Sequence, residues 1–214
     1  MLRCRRFLIS IICVSIFASP ISSYAAEEIE DLIDIAVSKS KIIAIIEGRK
    51  TVTFDLRPNE KVLWSGSKGD LGAFLTDRHF FVISTSLNSW QALPLRLDES
   101  GKGVASLSPY IALLVTRDRA IGFDATSSRF IETQLPLHDE LLAAEAERYV
   151  AVVITSSRAF GLAAESSAFT EIKLRMSETI ESIKLTYSKA TVRTSDRFLT
   201  FETSGSTWKE HRLY

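Results

Sequence analysis

Three segments of the chain repeat one pattern at a fixed spacing. "TRDRAIGFDATSSRFIETQLPL" begins at Thr116, "TSSRAFGLAAESSAFTEIKLRM" at Thr155 and "TSDRFLTFETSGSTWKEHRL" at Thr194, so successive copies lie 39 residues apart. A repeat of about 40 residues encodes units that are too small to bury an apolar face alone and that must pack against their neighbours. This periodicity constrains the fold more than any other feature of the chain.

Several residue types recur at near-constant offsets within each copy. A basic residue marks each copy: Arg78, Arg119, Arg158 and Arg197, with Lys50 in an earlier partial copy. A threonine precedes it by two or three residues (Thr76, Thr116, Thr155, Thr194), and an aromatic residue follows after eleven or twelve (Trp90, Phe130, Phe169, Trp208). These columns predict five repeats, at approximately residues 28–59, 60–97, 98–137, 138–176 and 177–214.

Each copy divides into four short runs that have the composition of β-strands. In the third copy the runs are "GVASLSP", "YIALLVT", "RAIGFDA" and "FIETQLPL". They are rich in β-branched and aromatic residues and are separated by turn-forming ones. The second run is almost wholly apolar, which indicates burial on both faces, whereas the fourth alternates and indicates a half-exposed strand. Each repeat is therefore predicted to be a four-stranded antiparallel sheet.

Four strands per 40-residue repeat resembles the blade of a WD40 or PQQ-like β-propeller. Phe54-Asp55, Phe123-Asp124 and Phe201-Glu202 lie where WD40 repeats place Trp-Asp. The chain departs from that pattern at Leu162-Ala163, and no Gly-His pair opens a repeat. The resemblance implies an all-β, five-bladed β-propeller of four-stranded antiparallel blades.

The first repeat is shorter than the others. Lys50 and Arg78 are only 28 residues apart, about eleven fewer than the period. We therefore expect blade 1 to lack one strand, the outer one, and to leave an edge that a partner's strand, or the acidic segment Glu27–Asp34, would cover. The sequence leaves open whether five units close a ring alone or pair with a second molecule.

The N-terminus has the pattern of a secretory signal peptide. Arg3, Arg5 and Arg6 precede a short apolar run, Phe7–Ala18, and small residues follow it up to Ala25. We expect residues 1–25 to be removed, which leaves 26–214 as a single propeller domain without a transmembrane segment. The expected location is exported, periplasmic or secreted, and an uncleaved membrane anchor is the alternative.

Composition argues against several functional classes. After removal of the signal, 23 basic residues face 26 acidic ones, and no basic stripe of the kind that binds nucleic acid is evident. The three histidines, His79, His138 and His211, lack the spacing of metal ligands. No nucleophile elbow or phosphate-binding glycine loop is present, so we predict neither a cofactor nor an enzyme. Asp55, Asp124 and Glu202 recur regularly, which favours a structural role over that of glycosidase carboxylates.

The recurring basic residues are the candidate binding site. At equivalent positions of adjacent blades, Arg78, Arg119, Arg158, Arg197 and Lys50 would form a partial ring for an acidic ligand or partner. Alternatively, each would pair with acids between blades. We predict a non-enzymatic scaffold that binds a protein partner in the cell envelope. The alternative is a glycan-binding lectin with one shallow site per blade, in which the aromatic column stacks on sugars; a hydrolase is a more distant one.

Overall fold

A computed structural model describes residues 29–101 and 103–213 of the 214-residue chain. These residues form nineteen β-strands and no α-helix, so the described part contains no helix able to cross a membrane. The predicted signal peptide, residues 1–25, lies outside the described residues.

The strands form five antiparallel sheets, which we call blades 1 to 5. Blade 1 contains three strands and the other blades four, each in chain order. The strands are β1 (Ile33–Val37), β2 (Lys41–Ile46) and β3 (Lys50–Asp55) in blade 1; β4 (Val62–Lys68), β5 (Leu71–Thr76), β6 (His79–Ser84) and β7 (Gln91–Pro94) in blade 2; β8 (Val104–Leu107), β9 (Ile111–Val115), β10 (Arg119–Asp124) and β11 (Arg129–Gln134) in blade 3; β12 (Leu141–Glu147), β13 (Val150–Thr155), β14 (Arg158–Ala163) and β15 (Thr170–Lys173) in blade 4; and β16 (Ile180–Thr186), β17 (Lys189–Thr194), β18 (Arg197–Glu202) and β19 (Thr207–Arg212) in blade 5. The predicted fold of five propeller blades, with the first short by one strand, is confirmed.

Connections between strands lie on two opposite faces of the molecule. The hairpins between second and third strands share one face with the loops that lead from one blade to the next, as the Thr116–Glu99 hydrogen bond shows. We call this the acid–cation face. The hairpins between first and second strands lie on the other, where Tyr149 N–H donates to the Tyr187 carbonyl of the next blade. We call this the tyrosine face.

The hydrophobic core lies between blades rather than within one central cluster. In blades 2 to 4 the second and third strands are buried almost throughout, because a neighbouring blade covers each face. Packing is close where glycine allows it: a Cβ on Gly161 would lie 2.5 Å from Phe201 Cδ2 in the next blade. The apolar second run predicted from the sequence is thus explained by burial on both sides.

The two end blades each leave one face exposed, so the five blades form an open arc. In β2 and β17, buried and more exposed residues alternate instead of being uniformly buried. Blade 5 carries Arg193 and Thr191 where blade 4 carries Ile154 and Val152 in the interface. A polar outer face is what keeps a terminal repeat soluble.

In the part of the chain that the structure describes, the strand that blade 1 lacks is the inner one, and the prediction that it lacks the outer strand is wrong. In blades 2 to 5 the fourth strand starts on the tyrosine face; Arg129, which begins β11, donates there to the Ser166 carbonyl of the next blade. Lys50, which begins β3, reaches the corresponding turn of blade 2 through the Leu87 carbonyl. The strand β3 therefore occupies the fourth position, and β1 occupies the second. Ile33 and Asp34, from the acidic segment expected to cover the outer edge, belong to β1.

Candidate interaction surfaces

The acid–cation face is built around a repeated group of four side chains, most complete in blade 3. Arg119 is the first residue of β10 and forms two 2.7 Å hydrogen bonds with Glu99, which lies in the loop that enters the blade. Thr116 also donates to Glu99, at 2.9 Å, and its hydroxyl accepts the Arg119 N–H. The guanidinium further donates to Glu132 on β11 and to the Pro94 carbonyl of blade 2. This group fastens the hairpin, the entering loop and the previous blade together.

The two central groups of this network are buried. Arg119 is 5% exposed and Glu99 is 1% exposed. Burial alone would raise the pKa of Glu99, but hydrogen bonds from Arg119, the Arg96 N–H and Thr116 outweigh it and lower that pKa from 4.5 to about 2. Hydrogen bonds to Glu99 and Glu132 raise the pKa of Arg119. Glu99 is therefore ionised at neutral pH, and its ion pair with Arg119 joins the entering loop to the hairpin.

Blade 5 repeats the arrangement with different residue numbers. Arg197 donates to both carboxylate oxygens of Glu178, at 2.9 and 3.0 Å, and to Glu210 on β19. It also donates to the Lys173 carbonyl of blade 4, at 2.8 Å. Burial raises the pKa of Glu178, yet the hydrogen bonds from Arg197, a backbone amide and Thr194 lower it to about 2. Blades 3 and 5 are thus each joined to the preceding blade by a buried arginine.

Blades 2 and 4 contain weaker versions of the group. In blade 4 the acid is Asp139, one methylene shorter, and it accepts from Thr155 and Ser157. Arg158 instead binds Glu171 on the outer strand, and both side chains of that pair are partly exposed. In blade 2 the cation position is occupied by His79, whose Nδ1 lies 3.4 Å from Glu60. The strength of the group therefore alternates along the arc.

The structure does not bring the five predicted ring residues together as a set. Arg119 and Arg197 are buried in the networks above, and Arg158 is half-buried against Glu171. Arg78 is exposed and lies one residue before His79, which occupies the position of Arg119 in blade 2. Lys50 lies on the tyrosine face. In blade 1 the equivalent position is Lys41, whose backbone pairs with Ser38 as Arg119 pairs with Thr116. A ligand-binding role for the exposed members stays a prediction.

The recurring aromatic residues pack between blades. Trp208 contacts two core clusters shared by blades 4 and 5, and its Nε1 donates to the Thr170 carbonyl of blade 4 at 3.1 Å. Phe130 packs against Phe80 of blade 2, with ring centroids 6.1 Å apart. Asp124, in the WD40-like position, is fully buried and accepts hydrogen bonds from its own turn and from the Glu165 N–H of blade 4. These columns therefore connect neighbouring blades.

The tyrosine face carries an aromatic group that the repeat columns did not reveal. Tyr110 and Tyr149 stack with ring centroids 4.2 Å apart and an interplanar angle of 5°. Tyr149 meets Tyr187 edge-on at 5.0 Å, and the Arg148 guanidinium lies 5.0 Å from the Tyr187 ring. A hydrogen bond with Tyr110 is the main cause of a raised pKa at Tyr149. We call these four residues the tyrosine cluster.

The tyrosine cluster joins three blades at their inner ends. Tyr110, Tyr149 and Tyr187 come from the hairpins between first and second strands of blades 3, 4 and 5. Tyr187 is 53% exposed, and the other rings are partly exposed. The 39-residue interval between Tyr110 and Tyr149 equals the repeat period, and this was the available signal in the sequence. Tyr187 lies 38 rather than 39 residues after Tyr149, so the three tyrosines do not align in one column of the repeat.

Comparison with known proteins adds only remote structural likenesses. No protein-family model matches the chain, and no curated protein sequence matches it. It is similar to the N-terminal domain of Nup159 (7% identity, TM-score 0.41, covering 87% of this chain and 60% of that chain). It is also similar to the WD40 domain of Neurospora crassa Pan2 (10%, 0.37, 86% and 64%) and to BamB from Moraxella catarrhalis (12%, 0.39, 84% and 64%). The chain spans less than two thirds of each of these structures, and no function is carried over from them.

Proposed function

We propose that this protein is a non-enzymatic, exported β-propeller scaffold that binds a protein partner in the cell envelope through its tyrosine face. The observation that carries the proposal is the tyrosine cluster. Tyrosine and arginine are enriched among the residues that dominate the energy of protein–protein interfaces. Here they are held in place by stacking before any partner arrives, which lowers the entropy lost on binding.

The opposite face is less suited to this role. On the acid–cation face the hydrogen-bond donors of Arg119 and Arg197 are already used within the protein, and both side chains are buried. A partner would have to replace internal hydrogen bonds there without a gain. On the tyrosine face, by contrast, aromatic ring surface is exposed, and Tyr187 is 53% exposed.

Partner binding through the tyrosine face can be tested by site-specific crosslinking. A photo-crosslinking residue in place of Tyr187 should capture one partner protein in cells, whereas the same residue in place of Asp196, exposed on the acid–cation face, should not. Arg148→Ala should then weaken binding of the purified partner about tenfold with an unchanged unfolding temperature. Capture from position 196 with none from position 187 would contradict the proposal.

The lectin alternative can be tested separately, with a glycan array and the Arg148→Ala variant. A lectin with one shallow site per blade needs exposed aromatic residues in every blade, whereas the recurring aromatic column packs between blades. We therefore expect the wild-type protein to give no signal on a glycan array. A signal that Arg148→Ala abolishes would favour a glycan ligand over a protein partner at the tyrosine face.

Export rests on the N-terminal sequence and has its own test. We expect the protein recovered from the periplasmic or secreted fraction to begin at Ala26, because cleavage is predicted after Ala25. N-terminal sequencing combined with intact mass measurement checks this. Recovery of the full-length chain from the membrane fraction would support the uncleaved anchor instead.

A further inference from the structure

Among the described residues, no strand lies at the inner edge of blade 1. Blades 2 to 5 each place a first strand beside their second strand, whereas in residues 29–101 and 103–213 only β2 lies beside β1, the second strand of blade 1. We propose that β1 binds an extended segment of a partner protein as the missing strand, antiparallel to β1, with an acidic side chain at its leading end. This inference rests on the proposed protein-binding function and assigns it a second site and a partner chemistry.

The backbone of β1 is oriented to accept such a strand. In an antiparallel pair, residues alternate between those bonded to the partner strand and those whose N–H and C=O point away. Ser38 N–H bonds the Lys41 carbonyl, which places Ala36 and Asp34 in the set bonded to β2. Ile33, Ile35 and Val37 therefore direct their N–H and C=O groups to the open edge. An open edge of this kind is the usual template for strand addition.

The other blades show what fills this position. In blades 2, 4 and 5 an acid stands two residues before the first strand, and the strand opens with an aliphatic residue. The pairs are Glu60 and Val62, Asp139 and Leu141, and Glu178 and Ile180. In each case the acid accepts a hydrogen bond from the threonine of the neighbouring hairpin. The internal repeats thus specify the motif acid-x-aliphatic for the incoming segment.

Blade 1 retains the receiving groups for that acid. Ser38 and Lys41 form the same hairpin as Thr194 and Arg197 in blade 5, with matching hydrogen bonds. Both residues are exposed, and the Lys41 ammonium lies 3.6 Å from Asp55, which is itself 77% exposed. An exposed ion pair of this kind contributes little. An incoming carboxylate could therefore accept hydrogen bonds from the Ser38 hydroxyl and the Lys41 ammonium, both of which are exposed to solvent.

The exposure of Val37 points to the same missing element. Val37 is 46% exposed, whereas the equivalent Leu75, Val115 and Ile154 are at most 3% exposed. Each of those residues is paired with a first strand of its own blade. An apolar residue on an incoming strand would cover Val37 in the same way, with a gain from the apolar surface that it buries.

The sequence that precedes β1 in this chain lacks the acid-x-aliphatic motif at the spacing found in the other blades. In blades 2, 4 and 5 the acid stands eleven residues before the second strand begins, as Glu178 does relative to Lys189. Counting back eleven residues from Ile33 gives Ser22, which has no carboxylate. Glu30, which a hairpin would pair with Ile33, is not part of a strand. A separate protein with the motif is therefore the occupant that we infer.

Peptide binding to the mature chain tests the inference. A labelled peptide with the sequence of residues 138–147, "HDELLAAEAE", should bind saturably by fluorescence anisotropy. Replacing its Asp by Asn should weaken binding several-fold, and a central proline should weaken it at least tenfold by removing a ladder hydrogen bond. In Lys41→Gln the Asp and Asn peptides should bind alike, because the cation that distinguishes them is gone.

A matched pair of variants locates the peptide on β1. Val37→Pro removes an N–H on the open edge and should abolish binding, whereas Val37→Thr keeps the N–H and should bind within about twofold of the wild type. Amide exchange provides a second measurement that needs no variant: Ile35 and Val37 should become protected when the peptide is added. Absence of saturable binding, or protection elsewhere only, would overturn the inference while leaving crosslinking through Tyr187 unaffected. Dimerisation that Val37→Pro blocks would overturn it in favour of a second copy.

Discussion

Arg119→Gln is expected to lower the free energy of unfolding by about 3 to 5 kcal/mol, which is a large fraction of the roughly 5 to 15 kcal/mol by which ordinary domains are stable. The substitution removes the cation beside Glu99 and leaves a carboxylate that is 1% exposed without its main partner. It also removes the link to the Pro94 carbonyl of blade 2. Urea denaturation followed by tryptophan fluorescence measures the loss.

Arg158→Gln is the matched control, because it makes the same change at the same position of the next blade. Arg158 binds Glu171 at 2.7 Å, but the two side chains are 33% and 45% exposed, so we expect a loss below about 1 kcal/mol. Adding Glu99→Gln to Arg119→Gln should recover part of the lost stability, since no buried charge is then left unpaired. Equal, small effects of Arg119→Gln and Arg158→Gln would contradict a structural role for the buried arginine.

The architecture was predictable because residues one repeat period apart occupy equivalent packing positions in successive blades. Leu95, Leu135, Leu174 and Leu213 close the outer strand of successive blades at intervals of 39 or 40 residues, and each blade buries equivalent residues. The same period extends back to Leu56, which follows β3. The number of strands and the burial of the second strand on both faces followed from the hydrophobic pattern.

The register of blade 1 was not predictable from similarity to the other copies. Lys50 matches the arginine column locally, in "IIEGRKTVTF", but it begins a fourth strand. The chain carried two better signals: Ser38 three residues before Lys41, and the loop that starts at Leu56 and ends at Glu60. Among the described residues blade 1 has no inner strand, so its pattern is incomplete. Aligning the first repeat with the other copies therefore did not identify its strands correctly.

The candidate site was harder to predict than the fold for a physical reason. In a stacked repeat, a polar residue recurs at the same position because each copy makes the same contact with a neighbouring blade. Arg119 and Asp124 are regular because both bind groups in a neighbouring blade. The tyrosine cluster is irregular, because Tyr187 comes from a different hairpin position than Tyr110. Departure from the repeat pattern was therefore a better guide to the exposed surface than the pattern itself.

Acid is expected to destabilise the protein steeply between about pH 4.5 and pH 2. Glu99 and Glu178 have pKa values of 4.5 when exposed to solvent and of about 2 in the folded protein. A carboxyl group whose pKa is lower in the folded state stabilises the fold above its unfolded pKa, and this contribution is lost as the pH falls through the folded value. Each of the two groups then contributes up to about 3 kcal/mol at neutral pH. Glu60 and Asp139, whose pKa values are also lowered, act in the same direction.

Urea denaturation at pH values from 7 to 2 measures this dependence directly. Glu99→Gln should be less stable at pH 7, because Arg119 loses its charged partner. Its stability should nevertheless fall less steeply below pH 4.5, since one fewer proton is taken up when the protein unfolds. The two stability curves should therefore converge as the pH falls. Parallel curves for wild type and Glu99→Gln would show that Glu99 titrates alike in the folded and unfolded protein, and the buried ion pair would then contribute nothing to the pH dependence. Convergence would instead assign part of the acid sensitivity to Glu99, the buried carboxylate that holds the entering loop of blade 3 against its hairpin.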